Sequence, residues 1–94
     1  MTKMWEGWNK YVDTDDCKRY ELVIGSSEIR VSLGVYLTKV DSGPLTWQVL
    51  VNSFNPLAGE YIIYEGVFHS FAEAEANAWE MAHAAAERKR RVLR

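Results

Sequence analysis

The sequence has little cysteine, proline or histidine, and these scarcities exclude several classes of protein. Its 94 residues include 1 Cys, 2 Pro and 2 His. Cys17 alone cannot close an internal disulfide, which excludes a disulfide-stapled secreted scaffold. No apolar run approaches the roughly 18 residues of a membrane span, and residues 1–12 lack the apolar core of a signal peptide. We therefore expect a cytoplasmic protein.

Motifs for catalysis and cofactor binding are also lacking. The 6 glycines stand singly, unlike those of a phosphate-binding loop, and no Gly-x-Ser-x-Gly sequence is present. Cys17, His69 and His83 do not show the spacing of metal ligands. We expect no enzymatic activity, no cofactor and no metal.

Alternating apolar residues predict strands between residues 18 and 68. The clearest run places Ile29, Val31, Leu33, Val35 and Leu37 on one face. Turn residues separate this run from its neighbours at short intervals, which favours an antiparallel meander of four strands. Gly34, in the middle of the run, predicts a bulge or a bend.

A change of period near residue 70 predicts a helix over residues 70–92. Ser70 followed by Glu73 fits a capping box at the start of that helix. Residues 4–12, with Trp5, Trp8 and Tyr11, suit a short helical or irregular segment. The sequence thus predicts a single α+β domain over residues 1–94, with a four-stranded antiparallel sheet packed by one long C-terminal helix.

The apolar content of two strands exceeds what one helix can cover. Residues 47–54 and 61–68 carry apolar side chains on both faces, and such strands need two covering layers. We expect residues 4–12 to cover only part of the second face, which leaves room for a homodimer or a docked protein. The same alternation places Glu60 and Glu65 on opposite faces.

The net charge of −2 conceals two unequal parts. Residues 1–86 carry 6 Lys and Arg against 12 Asp and Glu, whereas residues 87–94 carry 5 against 1. The acidic part favours contact with a larger protein complex. The predicted protein-binding residues are those of an acidic turn and one helix face: Asp13, Asp15, Asp16, Glu73, Asn77, Trp79 and Glu80.

The basic C-terminal end favours an alternative function. Its cations could neutralise phosphates of a nucleic acid, or they could simply complement the negative end of the helix dipole. The residues concerned are Arg88, Lys89, Arg90, Arg91 and Arg94.

Two resemblances accompany these patterns. Trp47, Gly59, Gly66-Val67-Phe68, Ser70 and Glu73–Ala76 resemble the sheet-then-helix layout of integrase arm-binding domains and of the second half of double-stranded RNA-binding domains. That resemblance implies nucleic-acid binding, but Glu73 and Glu75 stand where the RNA-binding family carries phosphate-gripping lysines.

In size, composition and architecture the chain is also similar to small phage or mobile-element accessory proteins of the anti-CRISPR type. This resemblance implies a non-enzymatic inhibitor of a host defence complex, acting by surface blocking or nucleic-acid mimicry. We take protein binding as the first hypothesis and nucleic-acid binding through the basic tail as the second.

Overall fold

The computed structural model describes residues 4–25, 30–41 and 43–92. Its elements in chain order are β1 (Asn9–Asp13), β2 (Cys17–Gly25), β3 (Arg30–Asp41), β4 (Leu45–Asn55), β5 (Gly59–Phe68) and α1 (Phe71–Val92). The strands form one sheet in the order β1-β2-β3-β4-β5, and every neighbouring pair is antiparallel. The predicted α+β meander with one C-terminal helix is therefore confirmed, but the sheet has five strands and not four. The predicted turn at residues 25–27 and Ser42 of the next turn lie largely outside the described residues.

The additional strand comes from the N-terminal segment. Residues 4–7 form a turn, in which Trp5 has φ 67° and Gly7 has φ 86°, and β1 follows from Asn9. Trp5, Trp8 and Tyr11 are spaced as on a helix, which suggested a helical or irregular segment. The spacing misled because Tyr11 sits where the β1–β2 register shifts, so the strand does not alternate regularly.

The core lies between the sheet and α1. Val31, Leu33, Val35 and Leu37 of β3 are buried on this side, as their alternation predicted, and Ile29 of the same run lies outside the described residues. The helix meets them with alanines at positions 74, 78, 82 and 85, all buried. Because alanine side chains are small, the helix axis can approach the sheet closely, and the larger strand residues fill the space between.

The N-terminal turn belongs to the same side of the sheet as the helix. Trp5 stacks on Tyr20 of β2 with ring centroids 4.2 Å apart, and its ring edge meets Trp79 of α1 at 5.5 Å. The Trp5 indole also donates a hydrogen bond to Glu75 at 3.2 Å. The expectation that residues 4–12 partly cover the second face is therefore wrong for Trp5, because these contacts hold it against the helix, whereas the Tyr11 hydroxyl does reach Glu21 on that face.

A bulge in β5 changes which face its residues occupy. Val51 pairs with Tyr64 but Asn52 pairs with Ile62, so Ile63 is an extra residue. Glu60 pairs with Phe54 and Glu65 with Leu50, two residues on one face of β4. The two glutamates therefore share a face, contrary to the strict alternation expected from sequence.

The helix begins one residue after its predicted start. The Glu73 amide donates to the Ser70 hydroxyl at 3.2 Å, which is one half of the expected capping box. Lys89, Arg90 and Arg91 occupy the last turn, where cations complement the dipole. Among the described residues no helix is long and apolar enough to cross a membrane.

Candidate functional site: the open face of the sheet

The sheet face opposite α1, here called the open face, is covered by no described element. Its central part consists of four cross-strand rows that run from β2 to β5. The rows are Val23-Ser32-Phe54-Glu60, Glu21-Gly34-Asn52-Ile62, Arg19-Tyr36-Leu50-Glu65 and Cys17-Thr38-Gln48-Val67.

This face exposes large apolar side chains that a solvated sheet face does not need. Val23 is 44% exposed, Phe54 49%, Ile62 56% and Val67 61%. Leu50 and Tyr36 are half-buried between them. Antiparallel sheets that face water on one side normally carry polar residues there, so exposed apolar side chains interspersed with polar ones on this face indicate a contact surface.

A hollow lies at the centre of the open face, above Gly34. A Cβ at this position would overlap Asn52 Oδ1 and would lie 3.2 Å from Tyr36 Cε2. The β3 register is unbroken on both sides of Gly34, so the glycine does not mark a bulge, the first of the two predicted alternatives. Its missing side chain makes room for the Asn52 amide, and a space of about 170 Å³ lies beside that amide. The other residues lining it are Arg19, Glu21, Ser32, Phe54 and Glu60.

Two carboxylates flank this hollow, and neutral donors orient them. Asn52 Nδ2 donates to Glu60 Oε1 at 2.5 Å, and the Tyr11 hydroxyl donates to Glu21 Oε1 at 3.3 Å. Neither glutamate forms an ion pair among the described residues. The one cation at the hollow, Arg19, lies over the Tyr36 ring at 4.7 Å from its centroid.

The predicted acidic turn joins β1 to β2 and is largely compensated by lysines. Asp13 contacts Lys18 at 2.5 Å and Lys10 at 3.3 Å, and Asp16 contacts Lys39 at 3.6 Å. The hydrogen bond from Lys18, followed by that from Lys10, lowers the pKa of the Asp13 carboxyl. Only Asp15 is exposed without an ion pair among the described residues.

The predicted helix residues lie on the outer and lateral faces of α1. Glu73 and Glu80 are exposed, and Asn77 donates from its side-chain amide to the Glu73 carbonyl at 2.8 Å. Trp79 is half-buried and packs between Trp5 and His83, so most of its ring already has intramolecular partners. The protein-binding role of these residues stays a prediction, and none of them lies on the open face.

Only some of the cations at the basic end of α1 lack an intramolecular partner among the described residues. Lys89 donates to the Tyr61 hydroxyl at 2.6 Å, which is the main reason that the pKa of Tyr61 is lowered. Arg90 contacts Glu87 at 3.6 Å, whereas Arg88 and Arg91 are exposed and have no ion pair among the described residues. Arg94 lies outside the described residues.

The reactive side chains considered from sequence do not converge. Cys17 is on the open face of β2, His83 stacks on Trp79 of the helix, and His69 is exposed between β5 and α1. Within residues 4–25, 30–41 and 43–92 no group of three His, Cys, Asp or Glu side chains could hold a metal ion.

Sequence reasoning found the excess of apolar residues but missed the hollow. The one local sign of the hollow in the sequence is Gly34, which interrupts an otherwise regular strand. The partners of Gly34 across the sheet come from other strands, and the placement of Glu60 depends on the Ile63 bulge.

Fold and exposed surface together describe a small α+β protein with a bare sheet face. Comparison of the chain with protein-family models, curated proteins and solved structures finds no match. Its function must therefore be inferred from its own residues.

Proposed function

We propose that this chain is a non-enzymatic protein-binding module and that the open face is its docking surface. The observation that carries the proposal is the exposure of Val23, Phe54, Ile62 and Val67 on a sheet face that no described element covers. Burying apolar area of this kind contributes about 25 cal/mol per Å², so a protein that covers the face gains from the contact.

The charges on the open face favour a protein over a nucleic acid. The described residues of this face include two arginines, Arg19 and Arg30, against three glutamates, Glu21, Glu60 and Glu65. A phosphate backbone needs a predominance of cations. Aromatic residues and arginine beside exposed apolar side chains are instead enriched at protein interfaces.

An inhibitor of the anti-CRISPR type, encoded by a phage and directed at a host defence complex, is the specific form of this proposal. The excess of carboxylates in residues 1–86 supports it, since an acidic body can compete with nucleic acid for a basic surface. In cells with an active CRISPR system, the chain should increase survival of a targeted plasmid. Unchanged survival across several system types would leave only the general binding proposal.

The general proposal is tested by capturing a partner from bacterial lysate and measuring its affinity for variants. Replacing Ile62 and Val67 by Ser removes apolar contact area from the open face and should weaken binding at least about tenfold. The matched control replaces Leu57 and Val92, which are 96% and 79% exposed elsewhere, by Ser and should change affinity less than about twofold.

Equal loss of affinity in both pairs of variants, or loss in the control pair alone, contradicts docking on the open face.

The triple replacement of Asp13, Asp15 and Asp16 by Asn tests the acidic turn predicted from sequence. Weakened binding with reduced salt dependence would assign that turn a role, and unchanged affinity would remove it.

The partner could also be a second copy of the chain. Light scattering over a range of concentrations should then show twice the 10.8 kDa monomer mass. The open-face variants would return the mass to that of the monomer if the dimer uses this surface. A monomer at all concentrations would exclude the homodimer.

Nucleic-acid binding through the basic tail remains the second candidate. The free guanidinium groups of Arg88 and Arg91 favour it. A gel retardation assay should show a complex that weakens steeply with salt and disappears when residues 88–94 are deleted. The absence of a complex with the intact chain would reject this function.

A further inference from the structure

The hollow above Gly34 has the shape and charge of a receptor for one cationic side chain. Its floor is formed at Gly34 by the Asn52 amide, whose Oδ1 occupies the place that a Cβ of residue 34 would take, with the Tyr36 ring beside it. Asn52 is only 8% exposed, so this amide forms a fixed floor and not a mobile surface group. A single long side chain can enter such a space from the solvent.

The charge balance of the hollow calls for a cation. Glu21 and Glu60 flank it without an ion-pairing partner among the described residues, while Arg19 contributes one positive charge. The hydrogen bonds from Tyr11 and Asn52 each use only part of the acceptor capacity of these carboxylates. The remaining lone pairs can accept further donors at little cost in reorganisation.

Aromatic rings make the site suitable for guanidinium in particular. Tyr36 and Phe54 line opposite ends of the hollow, and Tyr36 already carries the Arg19 guanidinium on its ring. A planar guanidinium can stack on a ring while its edge donates to carboxylates, whereas an ammonium makes point contacts only. The apolar neighbours Phe54 and Ile62 favour a guest that arrives on a protein surface, not as a free small cation.

We propose that the hollow receives an arginine side chain of the partner protein, with Glu21 and Glu60 as its carboxylate acceptors. This inference rests on the proposed function, because it identifies one anchor point within the open face. Binding would pair both carboxylates and bury the guanidinium next to Phe54. Charge-assisted pairs of this kind determine register and specificity at an interface.

The test is an NMR titration of the intact chain with N-acetyl-arginine amide, using the citrulline analogue as its neutral counterpart. The arginine probe should bind with a dissociation constant on the order of 1 mM, as its size allows. Amide shifts should concentrate at residues 19–21, 32–36, 52–54 and 60. Equal shifts with citrulline, or arginine shifts confined to the acidic turn, would overturn the proposal.

Variants assign the contacts. Replacing Glu21 and Glu60 by Gln should weaken arginine binding about tenfold, which is close to 1.4 kcal/mol. Glu21→Gln and Glu60→Gln are also made singly. Their matched control is Glu65→Gln, which removes one charge one row from Glu21 and two rows from Glu60 and should alter affinity less than about twofold. A similar loss in the control would show that general negative charge attracts the probe, which contradicts a defined site.

Arg19→Gln gives the sharpest test, because the sign of its effect depends on the guest. Removing this cation should strengthen binding of the arginine probe about twofold to fivefold. Weaker binding would show that Arg19 itself holds the guest, and the proposal would fail. Circular dichroism confirms that each variant is folded.

The captured partner separates this inference from the proposed function. If Ile62→Ser with Val67→Ser abolishes partner binding while Glu21→Gln with Glu60→Gln does not, the open face is the interface but the hollow is not its anchor. If the partner binds the variant with Ile62→Ser and Val67→Ser as tightly as it binds the parent chain, the proposed function itself fails.

Discussion

The two faces of the sheet use the same strands in different ways. On the helix side, Leu33, Val35 and Leu37 of β3 are fully buried. On the open side of the same strand, Ser32, Gly34 and Tyr36 alternate with these residues and border the hollow. One face therefore provides the stability of the fold, whereas the other holds side chains whose arrangement is not required for stability.

The largest expected effect contrasts one aliphatic residue from each face. Leu33→Ala should lower the free energy of unfolding by about 4 kcal/mol, because it leaves a cavity at a site with 0% exposure. Ile62→Ala on the open face should cost less than about 1 kcal/mol, mainly in strand propensity. Urea denaturation measures both, and equal losses would show that the open face is also part of the folding core.

The N-terminal turn sharpens the same contrast, since it was expected to serve the other face. Trp5→Ala should lower the unfolding free energy by about 3 kcal/mol through loss of contacts with Tyr20 and Trp79. Met4→Ala, at a neighbouring residue that is 42% exposed, should change it less than about 0.5 kcal/mol. A negligible effect of Trp5→Ala would mean that the turn does not pack on the helix side in solution.

Ser53 carries a poorly satisfied buried hydroxyl on the covered face. It is 0% exposed, and its Oγ lies near the Tyr61 hydroxyl, whose pKa it helps to lower, but the contact does not have hydrogen-bond geometry. Ser53→Ala should therefore raise the unfolding free energy, by less than about 1 kcal/mol, because it removes a polar group with only this weak contact. Ser32→Ala on the open side should stay within about 0.5 kcal/mol of the parent protein. A clear loss of stability in Ser53→Ala would reveal a hydroxyl partner in solution.

The smallest effect under ordinary conditions is a pH dependence of the covered face. Burial, followed by the charges of Glu75 and Asp13, raises the pKa of Tyr20 from 10.0 to about 12. The folded protein therefore holds this proton more tightly than the unfolded chain, so stability falls as pH rises from 10 to about 12. Comparing wild type with Tyr20→Phe by thermal melts isolates this loss; identical pH profiles would contradict the burial of Tyr20.

The regular parts of the fold were predictable from sequence, and the irregular parts were not. The alternation in residues 29–37 and the Ser70 cap reflect local physics, so β3 and α1 were found close to their true bounds. The shift at Tyr11 and the bulge at Ile63 depend on pairing with other strands, which local periodicity does not contain. Because of these two irregularities, neither β1 nor the shared face of Glu60 and Glu65 could be predicted from the sequence.

Of the candidate site, the sequence predicts only that two strands carry more apolar residues than one helix can cover. Sequence indicated that strands 47–54 and 61–68 are apolar on both faces, and the exposure of Phe54, Ile62 and Val67 accords with that. It could not show that the Trp5 and Trp79 rings contact each other on the helix side, because the two residues are 74 positions apart in the sequence. The open face stays uncovered because Trp5, which was expected to help cover it, packs on the helix side of the sheet.

Site-specific photo-crosslinking measures whether the open face binds a protein. A photoreactive phenylalanine analogue is placed at position 67 of the open face or at position 57, which is 96% exposed in the turn between β4 and β5, and the chain is expressed in bacterial cells. Docking on the open face predicts one discrete adduct from position 67 and none from position 57. An adduct from position 57 with none from position 67 would contradict it.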